Sequence, residues 1–287
     1  MRKNHGMRET LLDWYASAAR DLPWRRLSAG PWGVLVSEFM LQQTPVARVL
    51  PVWEVWLERW PTPAALASDP AGEAIRAWGR LGYPRRALRL HGAATEITAR
   101  FNGDVPSSCD ELLALPGVGG YTARAVRAFG FGMHDVPLDT NVRRVLARLY
   151  DAQADVPTAT PARREQDRAD DLADGSAGVG AALMELGALV CGARSPRCSA
   201  CPVAGDCGWR AAGFPAGVTK VGQLYAGTDR QARGALLAVL READAPVAHA
   251  ALERAWSPPE QRARALAGLL ADGLAVGDEG SGYALPT

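Results

Sequence analysis

Two neighbouring stretches decide the fold: Leu115-Pro-Gly-Val-Gly-Gly-Tyr121, and Val136-Pro-Leu-Asp-Thr-Asn-Val-Arg-Arg-Val-Leu-Ala-Arg148. Apolar residues at helical spacing lie on both sides of the glycines, which predicts two helices joined by a tight turn. Glycine allows backbone conformations that a side chain forbids. The bare N–H groups at the start of the second helix can then bind an anion such as a DNA phosphate.

Capping residues delimit the helices around this turn. Ser108-Cys-Asp-Glu111 has the form of a capping box and predicts the start of the first helix. Asp139 is placed to begin a third helix that carries Arg143, Arg144 and Arg148. The whole therefore predicts a helix-hairpin-helix followed by a carboxylate. Taken alone, the first piece is better explained as a glycine-rich helical turn and the second as an ordinary Asp N-cap.

Length and composition set the class of protein. The chain has 287 residues, 48% hydrophobic and 22% charged, which is enough for two or three globular domains. The net charge is only +1, but residues 76–100 contain six Arg against one Glu. A local basic face attracts phosphate whatever the total charge. We find no membrane-length apolar run and no signal peptide, so we expect a cytoplasmic protein without membrane association.

A buried acidic residue is predicted in the first third of the chain. Gly33 to Gln43 is apolar around most of its circumference, which indicates a helix in the centre of a bundle. Glu38 lies in its middle, where a carboxylate is costly unless it is hydrogen-bonded or protonated. An exposed helical Glu is the alternative. No strand is evident before residue 215, so the first two-thirds of the chain are predicted to be all-helical.

The C-terminal part has a different pattern. Residues 213–228 are rich in glycine and predict a linker. Three short helical patterns and a hairpin-like end follow in residues 229–287, and predict a winged-helix-like module.

Four of the five cysteines form a cluster with the spacing C-x6-C-x2-C-x5-C: Cys191, Cys198, Cys201 and Cys207. Four thiolates within such a short segment can converge on one soft metal centre. Zinc and a [4Fe–4S] cluster both accept four sulfurs. Cys109 stands apart and is predicted to be a small buried hydrophobe.

Taken together, these motifs resemble the adenine DNA glycosylase family of the endonuclease III, or helix-hairpin-helix, superfamily. The resemblance extends over residues 8–212 in family order. It rests on Val36–Thr44 (catalytic-acid helix), Leu81–Tyr83 (DNA-wedge loop), Leu115–Gly119 (hairpin), Leu138–Val142 (catalytic aspartate) and the cysteine spacing, which is that of the family's iron–sulfur cluster.

The resemblance implies a mainly α, two-lobed fold. A six-helix barrel would occupy residues 28–136, and a [4Fe–4S] cluster domain would combine residues 1–27 with 137–212. The final module is too short for the Nudix-like domain that typical members carry, which suggests a short actinobacterial form. We expect a monomer in the cytoplasm, associated with the bacterial nucleoid, whose partner is double-stranded DNA containing a mispaired adenine.

The resemblance also implies the chemistry. Glu38 would protonate adenine, Asp139 would stabilise the oxocarbenium ion or bond to it, and Asn141 would help to orient water. Tyr121 stands where bifunctional members have a Schiff-base lysine, so we predict a monofunctional enzyme. The predicted DNA contacts are Gln42, Gln43, Tyr83, Gly117, Val118, Gly119, Gly120 and Arg143.

Two other functions fit the same motifs. A thymine–DNA mismatch glycosylase of the superfamily also has tyrosine at the hairpin position, although Gln42-Gln43-Thr44 favours adenine. A non-catalytic helix-hairpin-helix DNA-binding protein with a structural metal is the other alternative. The presence of both Glu38 and Asp139 argues against it.

Overall fold

The computed structural model describes residues 2–156, 160–217 and 225–287, with side chains from residue 4 onward. In these ranges the protein is helical, with a single β-hairpin near the C-terminus. The helices are α1 Arg2–Ala18, α2 Gly30–Leu41, α3 Val46–Arg59, α4 Pro63–Ser68, α5 Ala71–Trp78, α6 Arg85–Phe101, α7 Cys109–Leu113, α8 Gly120–Ala125, α9 Thr140–Tyr150, α10 Arg163–Ala173, α11 Val179–Leu189, α12 Gly208–Ala211, α13 Asp229–Glu242, α14 His249–Ala255 and α15 Pro259–Ala271.

The chain divides into two compact units. The first contains Met1–Glu38, Ser107–Ala114 and Val118–Lys220, and the second contains Phe39–Pro106, Leu115–Gly117 and Val221–Thr287. The domain boundaries predicted from the sequence stay a prediction. Part of the predicted linker at 213–228 lies outside the described residues.

The first unit is built around α9 and α11. One core joins apolar side chains of these helices with those of α1 and α10. Its fully buried members include Leu11, Val142, Leu172 and Leu183. Their helical spacing in the sequence explains why each helix turns one face inward. This packing places the start of α9 and the middle of α11 in the same interior.

The second unit contains a cluster of tryptophans. Trp56 packs edge-to-face on Trp60 and Trp78, with ring centroids 4.6 and 5.7 Å apart. All three are buried, because the apolar faces of α3 and α5 turn inward together. Helices α13–α15 belong to the same unit, with a hairpin formed by β1, Val276–Asp278, and β2, Gly282–Ala284.

Most helices predicted from periodicity are present, and the predicted mainly helical class is confirmed. Three local predictions are wrong. Ser108 is the N-cap of α7 but its side chain makes no capping hydrogen bond. Cys109 is only half-buried, because it lies in the first turn of that short helix. The hairpin strands, predicted at 274–276 and 283–285, begin and end one or two residues away from those positions.

The helix after the glycine turn contains an irregularity that periodicity did not predict. Residues Val126–Gly130 form a π-helical turn directly after α8. Gly130 packs against Pro31, where an added Cβ would lie 2.9 Å from the proline Cα. None of the described helices is both long enough and apolar enough to cross a lipid bilayer.

Candidate active site

Glu38 is a buried acid in the middle of α2. Residues 32–40 are all buried, as the apolar sequence of this helix predicts, and Glu38 is only 5% exposed. The pKa of its carboxyl group is raised to about 7, chiefly by burial and also by the charge of nearby Asp139. Tyr121 and Arg25 act in the opposite direction. A carboxylic acid with this pKa can still carry its proton at neutral pH.

Tyr121 lies at the second position of α8, with its hydroxyl within hydrogen-bonding reach of the Glu38 carboxyl group. Burial and the adjacent carboxylates raise the pKa of this phenol well above its ordinary value. The hydroxyl therefore stays protonated at neutral pH and can donate to Glu38. The Tyr121 side chain has no amine, and its protonated phenol is a poor nucleophile.

Asp139 is the N-cap residue of α9, as its sequence position predicts. Its carboxylate accepts a hydrogen bond of 2.7 Å from the Val142 N–H and one of 2.8 Å from the Asn141 side chain. The pKa of Asp139 lies above its ordinary value, because burial outweighs these donors and the charge of Arg144, which lower it. Both oxygens are thus bound by groups that favour the charged form.

A hydrogen-bonded chain extends from Asp139 to the loop that carries Cys191. Asn141 accepts from Arg144 at 2.7 Å. Arg144 also donates to the carbonyls of Gly187, at 2.7 Å, and Cys191, at 2.8 Å. The orientation of the Asn141 amide, and with it the position of the Asp139 carboxylate, is therefore fixed by Arg144.

Arg25, Arg20 and Glu185 are part of this interior but were not identified from the sequence. The Glu185 side chain is fully buried and accepts hydrogen bonds from both arginines at 2.7 to 2.9 Å. These charges hold the pKa of Glu185 at about 2, against the opposing effect of its burial. One signal was present in the sequence, because Glu185 interrupts an apolar helix just as Glu38 does.

The four clustered cysteines line one small cavity together with Arg148 and Trp209. Arg148 donates to the Cys191 sulfur at 3.3 Å, and its guanidinium lies 4.5 Å from the centroid of the Trp209 ring. The described part of the chain contains no group of three side chains already arranged around a metal ion. In residue type and in sharing one cavity, the cysteines fit a four-thiolate centre.

The predicted wedge residues lie in the second unit and contact one another. Tyr83 is 46% exposed, and its hydroxyl donates to Oε1 of Gln43 at 2.7 Å. Both residues have left-handed backbone conformations, with φ of 48° and 56°. Gln42 directly follows the end of α2, and its carbonyl accepts a hydrogen bond of 2.6 Å from Arg86.

The buried side chain of Arg86 links the residues of this region to one another. Its buried guanidinium donates to the carbonyls of Phe39, Met40 and Gly82 as well as to that of Gln42. It also donates to the Thr44 hydroxyl at 3.1 Å. Arg86 therefore connects the end of α2 to the wedge loop. Sequence analysis did not identify it, because it lies on the arginine-rich helix α6.

The hairpin turn has the conformation that its glycines predict. Gly117 has φ of 79°, and a Cβ there would lie 2.8 Å from the Cβ of Arg89. Positions Gly119 and Gly120 face open space instead. Val118 is buried, whereas the N–H groups of the turn at the start of α8 are available to an anion.

Arg143 was predicted to contact DNA. The structure places it in the interior, 5% exposed, where it donates to both carboxylate oxygens of Glu165 at 2.6 and 3.0 Å. This pair fastens α9 to the start of α10. The contacts of Arg143 are therefore those of a residue that joins two helices.

The helical fold and the neighbouring acids Glu38 and Asp139 point to a class of protein. Residues 36–169 match the family model described as "HhH-GPD superfamily base excision DNA repair protein". A solved structure of a thermostable thymine-DNA glycosylase superposes with a TM-score of 0.66 at 25% identity, covering 74% of this chain and 98% of that one.

Curated relatives narrow the class. The adenine DNA glycosylase of Mycolicibacterium smegmatis is 55% identical over 92% of this chain and 90% of its own length. That of Mycobacterium tuberculosis is 51% identical, over 96% of this chain and 92% of its own length. The chain belongs to the adenine DNA glycosylase family.

Proposed function

We propose that the protein is a monofunctional DNA glycosylase that hydrolyses the N-glycosidic bond of adenine mispaired with 8-oxoguanine or guanine. The observation that carries this proposal is the buried Glu38 carboxyl, with its pKa of about 7, beside the capped carboxylate of Asp139. The thymine alternative has less support, because the relatives at 51% and 55% identity are adenine DNA glycosylases.

The first step is protonation of the base. The target nucleotide leaves the duplex stack, and Glu38 donates its proton to N7 of adenine. The electrons of the C1′–N9 bond then move onto the protonated base, which leaves as neutral adenine. Tyr121 donates to the Glu38 carboxylate that remains, which stabilises the charge formed there.

The second step stabilises the positive charge that forms on the sugar. The oxocarbenium ion at C1′ is stabilised by the Asp139 carboxylate, or bonds to it transiently, as in retaining glycosidases. Water then adds at C1′ and gives its proton to Glu38, and the product is an abasic site. Asn141 holds one oxygen of Asp139 and helps to orient the water.

The DNA duplex binds to residues that lie outside the buried site of Glu38 and Asp139. The N–H groups of the turn Gly117–Gly120 bind a backbone phosphate. Tyr83 and Gln43, hydrogen-bonded to each other, fill the gap beside the opposing base, and Gln42 is a further contact. Arg143 fastens α9 and does not touch DNA. We expect the protein to act as a monomer in the cytoplasm, at the nucleoid.

Cys191, Cys198, Cys201 and Cys207 would hold a [4Fe–4S] cluster. When bound, the cluster would supply a cross-link that fixes the loop to which Arg144 and Arg148 donate. Iron and sulfide analysis of the purified protein tests this assignment. A Cys198→Ser variant should lose iron, and zinc in place of iron in the wild type would contradict it.

A panel of duplexes tests the activity. We expect excision from A:8-oxoguanine and A:G duplexes, none from T:G, and strand breakage only after alkali treatment. Borohydride should trap no Schiff base, because Tyr121 replaces the lysine that would form one. Thymine release, or trapping of the protein on DNA, would overturn the proposal.

A further inference from the structure

The C-terminal helices are fastened to the rest of the second unit at fixed positions. Arg76 of α5 donates to the carbonyls of Arg241 and Ala243 at the end of α13. Arg241 donates in return to the Ile75 carbonyl at 3.0 Å. The Gly72 N–H donates to the Pro286 carbonyl at 2.7 Å, where an added Cβ would collide. We call residues 225–287 the C-terminal module.

The order of elements in this module is that of a winged helix, in which the third helix commonly reads DNA. Here α15 does not offer free cations. Its exposed Arg264 pairs with Asp229 at 3.3 Å, and its Arg262 pairs with Glu253 at 3.0 Å. Asp272, just after α15, pairs with Arg85 of α6 at 3.3 Å. An ion pair therefore links the residue that follows α15 to the start of α6.

Arg230, in the first turn of α13, is different. It is exposed and makes no ion pair with the described residues. Its guanidinium lies 5.7 Å from the ring centroid of Tyr83, the exposed residue of the wedge loop. The neighbouring carboxylate of Asp229 is already bound by Gln261 and Arg264. Among the described residues, Arg230 is thus a cation of the module that lies beside the wedge loop without an ion-pair partner.

We propose that the C-terminal module is a second DNA-binding element, and that Arg230 binds a backbone phosphate of the strand opposite the extruded adenine. This rests on the proposed function, because it takes Tyr83 as the residue beside the opposing base. Guanidinium groups bind phosphate through paired hydrogen bonds, and the Tyr83 ring restrains the direction in which this one points. The contact is with the backbone and carries no information about the opposing base.

Arg230→Ala tests the proposal, with Arg254→Ala as the matched control. Arg254, on α14, is also exposed and without an ion pair among the described residues, but it makes no ring contact with Tyr83. Binding is measured on a duplex with 2′-fluoro-2′-deoxyadenosine, which resists excision, opposite guanine or 8-oxoguanine. Each binding constant is measured at several salt concentrations.

Arg230→Ala should weaken binding about tenfold, the effect of losing one hydrogen-bonded charge. It should lower the slope of log K against log salt by about 0.9. Both effects should be equal for the two opposing bases and absent in Arg254→Ala. Equal effects in both variants, or an effect confined to one opposing base, would refute the phosphate contact.

Methylphosphonates then locate the contact. Each removes the charge of one phosphate, and the substitution is placed in turn along both strands. One position should weaken the wild type but not weaken Arg230→Ala further. If that position lies in the adenine strand, the proposal is wrong. Adenine release by the wild type is measured separately, so a failure of the proposed activity is distinguishable from a failure of this contact.

Discussion

Arg25 and Glu185 form an ion pair in which Nη2 of Arg25 donates to Oε2 of Glu185 at 2.7 Å, with the Glu185 side chain completely buried. Arg25 is at the same time a positive charge that lowers the pKa of Glu38. The pair therefore does more than fasten α11. It holds a cation where it counteracts part of the burial that keeps the candidate general acid protonated.

Glu185→Gln should destabilise the protein by about 3 kcal/mol at pH 7, because it leaves Arg20 and Arg25 without their carboxylate. The pKa of Glu185 is lowered from 4.5 to about 2. Its contribution is therefore complete above pH 4.5 and is lost as the pH falls toward 2. Urea unfolding should show a gap between wild type and variant that narrows below pH 4.5. Asp21→Asn, which removes the exposed partner of Arg26, should change little.

Ionisation of Glu38 should affect the pH dependence of stability in the opposite direction to ionisation of Glu185. Its pKa is raised from 4.5 to about 7, so the folded protein loses stability as the pH rises between these values, by up to about 3 kcal/mol. Glu38→Gln cannot ionise, so the variant does not lose stability in this way as the pH rises. The variant should therefore become more stable relative to the wild type between pH 5 and 8. A constant difference across this range would mean that Glu38 is not protonated in the fold.

The same pKa predicts the pH dependence of excision. Single-turnover rates of the wild type should fall about tenfold per unit above pH 7, because the proton donor is lost. Glu38→Gln should lower the rate by about a hundredfold or more and abolish this alkaline limb. If Glu38→Gln excises adenine like the wild type, the assignment of the general acid is wrong.

Asp139→Asn separates the cap from the chemistry. Asparagine caps helices about as well as aspartate, so the variant should retain its Tm within a few degrees. Its neutral amide cannot stabilise the oxocarbenium ion, and excision should fall by at least about a hundredfold. Circular dichroism melting and single-turnover excision measure the two effects. Loss of both together would indicate that the residue is structural.

Glu38 and Asp139, the candidate catalytic residues, could be singled out from the sequence because their signals are local. Glu38 interrupts a continuous apolar helix, and Asp139 stands where an N-cap is required. The same reasoning would have selected Glu185, in the apolar helix α11. What periodicity cannot supply is the partner of each charge. Arg20 and Arg25 lie about 160 residues from Glu185 in the chain, and their pairing is a product of the tertiary fold.

The arginines of α9 show a second feature that the sequence does not predict. Arg143 was predicted to contact DNA, yet it is buried, as are Arg144 and Arg148 on the same helix. A guanidinium can enter a core when every N–H meets a carbonyl or carboxylate. Arg148 does so with the carbonyls of Ala154 and Gly192, both in loops. No helical pattern in the sequence encodes these acceptors.

Gly187→Ala tests whether the chain from Asp139 to Arg144 matters for catalysis. A Cβ at Gly187 would lie 2.6 Å from the Cβ of Asn141 and 2.9 Å from its carbonyl oxygen, so Asn141 must move. We expect a loss of about 1–3 kcal/mol in stability from the forced displacement. We also expect a fall in kcat beyond the fraction unfolded, because Asn141 positions Asp139. Gly205→Ala is the control, since nothing lies within 4 Å of a Cβ there. An unchanged kcat in a destabilised Gly187→Ala would show that Asp139 keeps its position without Asn141, and that Arg144 serves the fold alone.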